Sequence, residues 1–418
     1  MKKNAFTLVE LLAVIAILTI IMVISVPQLI TSIKNKKTDA LEKTKDLLIS
    51  AARNYVIDYE LKVPTSISIE TLCKNDYLEC PIKNPIDNSN LNGYVNVDDN
   101  KVYVYSDTRD YITIRDYIID LYNDESLRTS NGLKKDNTVD TNIRYYGSDP
   151  NNYVSFNNEL WRIIGVFGNN VKLVRSESLG SLSWDSSDSS INKGNGINQW
   201  GESTYGDGSY YEGADLQVYL NKMYYGGDTT VTCYDGYQNS TITCPTNTLD
   251  RTAKLLIDKH TWSLGAIEMS IEDTISFYNA ERGTANGKTC TSGTYCNDTV
   301  TRTTKWTGYV ALPYITDWAY ASSESVCETN MQTKDDSNVY ICKNNNWMQR
   351  NTLAWYLSPG ASGLFANSAW YVGGGGYADH GNAATSDAVV PSIYLKSNVL
   401  IESGTGTSSD PYILKAGV

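Results

Sequence analysis

Met1-Lys2-Lys3-Asn4-Ala5-Phe6-Thr7-Leu8-Val9-Glu10-Leu11-Leu12-Ala13-Val14-Ile15-Ala16 opens the chain, and an uncharged, largely apolar run carries on to Pro27. A cleaved secretory signal has an apolar region of about 7–15 residues and then a small-residue cleavage site. This run is longer, and no A-x-A site follows it. A plain membrane anchor needs about 20 apolar residues, which the run supplies. That reading leaves Glu10 unexplained, because a carboxylate at membrane depth is costly and usually functional. Lys2 and Lys3 hold the short side in the cytoplasm, which places everything after Pro27 outside. Beyond Pro27, Leu29, Ile33, Leu41, Leu47, Leu48 and Ala51 recur at roughly helical spacing with charged residues between them. One helix is therefore predicted over 6–57, about 75 Å long from Phe6 to Tyr55 at 1.5 Å per residue.

The run from Phe6 to Ala16 resembles the prepilin signal of type IV pilins and type II secretion pseudopilins. The resemblance implies a leader over 1–5, cut between Ala5 and Phe6 by a prepilin peptidase that methylates the new amino group. It implies that Glu10, fifth in the mature chain, neutralises the amino terminus of a neighbouring subunit during filament assembly. Pro27 stands where pilins often carry a helix-kinking proline. Ala5 departs from the family, which usually has Gly before the cut. The implied partners are other pilins, the peptidase and, before assembly, the cytoplasmic membrane.

Residues 58–128 read as a small antiparallel β head. Leu91 to Val97 and Lys101 to Tyr105 alternate around Asp98-Asp99-Asn100, a hairpin signal. The stretch over 129–148 is rich in Asn, Asp, Gly and Lys and reads as a linker. After it, Tyr153 to Phe167 predicts two strands around a tight Asn157-Asn158 turn, and Val171 to Arg175 a third. Short helices are expected over Ala214 to Met223 and Ile271 to Arg282, with strands again near Ala354–Leu357, Ala369–Val372 and Val389–Leu395. The fold class is thus α+β: a long N-terminal pilin helix, a small β head and a large domain over 149–416. Leu160 to Val166, Tyr278 to Arg282 and Trp370 to Leu395 resemble motifs of Gram-positive surface domains with a C-type-lectin-like fold. That family usually has Arg before its late Pro; here the sequence is Val389-Val390-Pro391.

The 418 residues carry 35 Lys+Arg against 47 Asp+Glu, a balance that excludes a general nucleic-acid binder. Nucleic acid is expected as a partner only for a DNA-uptake pseudopilin. Tyrosine is in excess, 31 against 5 Phe, which points to rings that keep one polar edge, as recognition surfaces do. The eight cysteines fall in local pairs: Cys73 and Cys80, Cys233 and Cys244, Cys290 and Cys296, Cys327 and Cys342. An exported chain with an even count predicts disulfides, sequential pairing being the simplest map. No C-x-x-C occurs and there are only two histidines, so no metal site is expected; Ca2+ is the one cofactor left open, at Asp185 to Asp188 or Asn96 to Asn100.

No G-x-S-x-G, H-E-x-x-H or P-loop is present, and Gly373 to Gly376 lacks the context of a phosphate loop. Binding rather than catalysis is therefore expected. Tyr356, Trp370, Tyr371, Tyr377, Asp379, His380 and Asn382 combine rigid aromatics with short polar groups near Gly-rich loops, a binding-site vocabulary. They are the candidate contacts to an unknown glycan or protein. The function read from these features is a minor pilin displaying an adhesin-type domain at the filament tip. The alternatives are a pseudopilin of a secretion or DNA-uptake system and, third, an enzyme on a pilin stalk.

Overall fold

The computed structural model describes residues 8–186, 199–204, 208, 210–236, 240–285, 288–289, 303–332, 337–361 and 367–417. The chain mixes helix and sheet and divides into two compact units, 1–112 with 417–418 and 113–416.

The smaller unit begins with the helix α1 (Leu8–Asp58), 51 residues long. Its first half carries apolar side chains that nothing in a single chain covers: Leu8 is 77% exposed and Val23 68%. Such a row is stable in water only against lipid or other helices. Among the described residues no helix is long and apolar enough to cross a membrane. The apolar run of α1 lies only partly among the side chains the structure describes. The last turns of α1 bury Leu48, Ala51, Ala52 and Val56 against a three-stranded antiparallel sheet. Its strands are β1 (Thr65–Ser68), β2 (Tyr94–Val97) and β3 (Tyr103–Ser106). Ser68 Oγ caps the short helix α2 (Ile69–Lys74) by accepting from Thr71 N at 2.9 Å. The predicted hairpin forms because Asp98 Oδ1 accepts from both Asn100 N and Val102 N. Gly93 has φ +125°, and a Cβ there would meet the Ser106 carbonyl at 2.6 Å, so only glycine fits.

The division between units corrects the expected boundaries. The head ends at Ile112, and α3 (Ile114–Asn123), capped by Thr113, buries Ile114, Ile118 and Leu121 in the core of the larger unit. The segment read as a linker over 129–148 holds β4 (Leu133–Lys135) and β5 (Ile143–Tyr145), which pair with each other; β5 also pairs with the strand Glu159–Phe167. Its polar residues suggested exposure, but Asp136 is buried and accepts from Thr138, Asn142 and Arg144, which builds the connection between the strands.

Among the described residues the large unit has a nine-stranded sheet, a five-stranded sheet and four two-stranded ones. In the nine-stranded sheet β6 (Tyr153–Phe156), β7 (Glu159–Phe167) and β8 (Asn170–Arg175) form consecutive antiparallel pairs. Asn157 and Asn158 have φ +58° and +56°, the conformation a two-residue hairpin of matching twist requires. The strand Ser392–Leu395 extends this sheet beyond β8, and Tyr412–Lys415 joins β6 in parallel. The five-stranded sheet places Ala354–Pro359 between Ser368–Val372 and Ser386–Ala388, with β9 (Ser181–Ser183) at one edge. The expected helices are present as Asp215–Val218 running into a π-helix over Tyr219–Tyr225, and as Thr274–Glu281.

Disulfides join Cys73 to Cys80, Cys233 to Cys244 and Cys327 to Cys342, each pair nearest in sequence. Cys290 and Cys296 lie outside the described residues.

Candidate functional site

Ala5 and Phe6 lie outside the described residues; Glu10 sits in the first turn of α1 with an exposed side chain, and Pro27 falls within the same helix. The aromatic and polar residues expected to bind ligand fall into two groups. Tyr356 and Trp370 are 4% and 0% exposed, which corrects their assignment as contact residues. The reason is that Ala354–Pro359 is buried along its whole length, with Trp370 on the strand paired to it; the indole nitrogens of Trp355 and Trp370 donate to the carbonyls of Leu182 and Ile267.

Tyr371, Tyr377, Asp379, His380 and Asn382 are half-buried on or beside the hairpin of Ser368–Val372 and Ala378–Asn382. Their polar atoms serve that hairpin: Tyr371 OH donates to Asp379 Oδ2 at 2.9 Å, and Asn382 Oδ1 accepts from Ala384 N. Gly373 to Gly376 form its turn, with Gly373 N donating to the Tyr377 carbonyl. A Cβ on Gly373 would meet the Tyr377 ring at 2.8 Å, so the glycines are spacers for that ring. Asp185 and Ser186 are tied to Tyr211 and Asp215 by hydrogen bonds, and Ser187 and Asp188 lie outside the described residues.

A cavity of about 350 Å3 opens elsewhere in the large unit. The strand His260–Ser263 supplies His260, Thr261 and Ser263; the β7–β8 turn supplies Phe167 and Gly168. Tyr278 and Arg282 come from the end of the helix Thr274–Glu281, and Tyr394 from a strand of the large sheet. The β4–β5 connection supplies the exposed Asp140 and the buried Asn142, and Tyr314 stands at the start of the helix Ile315–Tyr320. The side chains are locked. Tyr314 OH accepts from Ser263 N and donates to Ser263 O at 2.9 and 3.0 Å. Tyr278 OH donates to Asp140, and the Arg282 guanidinium lies over the Tyr278 ring. The His260 ring stacks on Tyr394 with centroids 3.7 Å apart and turns Nδ1 towards Asp258 Oδ2 at 3.3 Å. Burial lowers its pKa against the pull of Asp258, so the imidazole is neutral at neutral pH.

Behind the wall lies a buried ionic network. Asp317 accepts from Lys172 Nζ at 2.5 Å, from Arg144 Nη1 at 2.8 Å and from Tyr314 N. Arg144 Nε reaches Asp136 at 2.7 Å, while Glu281 takes Arg282 Nη1 and Thr316. Cations and carboxylates thus alternate, with Arg144, Lys172 and Arg282 matched to Asp136, Asp317 and Glu281. Lys172 and Arg144 beside it hold the Asp317 carboxyl below its ordinary range although burial opposes this; burial raises that of Glu281. The network fixes the cavity walls and leaves little net charge on them. Among the described residues no cluster of His, Cys, Asp or Glu could hold a metal ion.

Sequence reasoning missed this site because its residues spread from 140 to 394. Tyr278 to Arg282 stood out as a motif and His260 as one of two histidines; no spacing joined them to Asn142 or Tyr394. The first 26 residues match the family model of the prokaryotic N-terminal methylation motif, which fits a type IV pilin-like protein or a pseudopilin. No curated protein and no solved structure matches the chain.

Proposed function

We propose that this protein is a minor pilin-like subunit whose large unit recognises a ligand outside the cell. The carrying observation is the methylation motif leading into a 51-residue helix. That helix is uncovered and apolar at its start and packed on a small sheet at its end. In this reading the helix crosses the cytoplasmic membrane with Lys2 and Lys3 inside. A prepilin peptidase cuts before Phe6, and Glu10 then pairs with the amino terminus of a neighbouring pilin. The large unit, which polymerisation does not need, is carried to the cell surface at the tip or side of a filament. Its sequence motifs favour a C-type-lectin-like fold and a glycan or protein ligand. Binding rather than catalysis is supported by a cavity whose guanidinium is paired with the buried Glu281 carboxylate and whose histidine is stacked and hydrogen-bonded.

Replacing Glu10 with Ala tests the assembly role. The variant should insert in the membrane as the parent does and fail to enter filaments. Undiminished incorporation would overturn the proposal. Loss of secretion or DNA uptake in cells without surface filaments would instead assign the subunit to a pseudopilin machine.

A further inference from the structure

The recognition role leaves the ligand open, and a ligand class for the cavity rests on that role. We infer that the cavity beside Arg282 and Tyr314 takes one ring of a neutral sugar. Its volume, about 350 Å3, lies at the low end of the roughly 300–1,000 Å3 of ligand pockets, which suits a single ring rather than an extended chain. The wall alternates aromatic rings with both kinds of hydrogen-bonding group. Arg282 commits Nη1 to Glu281 and the Tyr278 carbonyl, so Nε and Nη2 remain as donors. Asn142 spends its amide nitrogen on Asp136, which leaves Oδ1 as an acceptor. Asp140 receives the Tyr278 hydroxyl on one oxygen and keeps the other, and Ser263 contributes a hydroxyl. A sugar hydroxyl both donates and accepts, so a polyol matches a wall of mixed polarity.

Charge narrows the class further. An anionic guest needs surplus positive charge, but Arg282 is neutralised by Glu281, and Arg144 and Lys172 by Asp136 and Asp317. Asp140 at the mouth and Asp258 beside His260 add negative charge that repels an anion. The fixed Tyr314–Ser263 and Tyr278–Asp140 bonds mean that little side-chain freedom is lost on binding.

The test uses the full-length protein in a detergent without a sugar head group. Glucose, galactose, mannose and N-acetylglucosamine are the neutral probes for saturation-transfer NMR and calorimetry; glucuronate and glucosamine are the charged counterparts. Thr261→Trp places a ring at the exposed mouth of the cavity, on a strand where Trp is well tolerated. Asp140→Asn removes the carboxylate there. At least one neutral sugar should bind one-to-one, with affinity falling about tenfold or more in Thr261→Trp at unchanged melting temperature. Glucuronate should bind more weakly than that sugar. Failure of all four neutral sugars to bind a folded chain overturns the inference, as does tighter binding of glucuronate. Neutral-sugar binding undiminished in both variants also overturns it and moves recognition elsewhere on the large unit. None of these readouts needs a filament, so the Glu10→Ala result stands or falls separately.

Discussion

The two units are held together by different chemistry. Among the described residues the smaller has ten in its buried core, Leu48, Ala51, Ala52, Val56, Ile67, Ile69, Leu72, Leu78, Val95 and Val97, all aliphatic. The larger contains every one of the nine tryptophans, from Trp161 to Trp370, and buries an ionic network inside its fold. Aliphatic packing is non-directional and tolerates exchange of one apolar side chain for another. Buried ions and indoles need particular partners, so the larger unit trades tolerance for fixed positions, which a binding cavity requires. The tryptophans also make the comparison measurable: their fluorescence reports the larger unit, while amide-exchange protection along the last turns of α1 gives a helix signal for the smaller one.

The largest separation of the two units should come from Asp317→Ala. Asp317 is fully buried and compensates Lys172 and Arg144 together. Removing it leaves Lys172 buried without a counter-charge and Arg144 with Asp136 alone, a loss of about 3–5 kcal/mol. The tryptophan transition in urea should move to lower denaturant while the helix signal of α1 holds. A shift of both signals together would mean that the units unfold as one. Acid should narrow the effect. The folded-state pKa of Asp317 is lowered, so its contribution is present above the ordinary carboxylate range and lost as pH falls through the folded value. The difference between wild type and Asp317→Asn should therefore shrink below about pH 4. Glu281 runs the other way: burial raises its pKa, so its contribution weakens as pH rises through the raised value. At neutral pH Glu281→Gln should cost less than Asp317→Asn.

The second expected effect falls on the smaller unit. Cys73 and Cys80 close a short loop behind α2, and replacing both with Ser should cost about 2–3 kcal/mol by the chain-entropy argument. The helix signal near the end of α1 should weaken and tryptophan fluorescence stay unchanged. Equal loss in both signals would show that the units share their stability.

The same contrast explains how legible each unit was. The helix, the β2–β3 hairpin at Asp98 and the Asn157-Asn158 turn were readable because each is set by residues within a few positions. The boundary was not: Asp136 and Arg144 look like loop residues until Asp317, far along the chain, supplies the partner. The tyrosine excess misled for a related reason. It suggested an exposed recognition surface, yet Tyr145, Tyr219, Tyr224, Tyr278, Tyr314 and Tyr394 are buried in the large unit. Several use the hydroxyl as an internal tie, Tyr314 to Ser263 and Tyr219 to the Pro245 carbonyl. Sequence gives the ring and its polar edge, and the fold decides whether that edge meets solvent or another strand.

A smaller effect is expected at the hairpin of the head. Asp98→Ala removes the acceptor for two backbone donors, Asn100 N and Val102 N, while leaving them near water. A loss of about 0.5–1.5 kcal/mol is expected. It should appear as faster amide exchange across the β2–β3 pair, with protection in the large sheet unchanged.

The smallest effect uses an ion pair of similar length to those around Asp317. Lys45 Nζ approaches Glu42 Oε1 at 2.9 Å on α1, one helical turn apart, with side chains 32% and 62% exposed. The Lys172–Asp317 side chains are 0% exposed. Distance alone would rank these contacts as near equals. Solvent separates them: water screens the exposed pair and solvates either partner once the other is removed, so Glu42→Gln should cost only about 0.3 kcal/mol. That small loss should fade further in 1 M NaCl, where the screening length is about 3 Å. The Asp317→Ala loss should change little with salt, because ions do not reach the buried pair. If Glu42→Gln matched Asp317→Ala in size, burial would not be what distinguishes the two units.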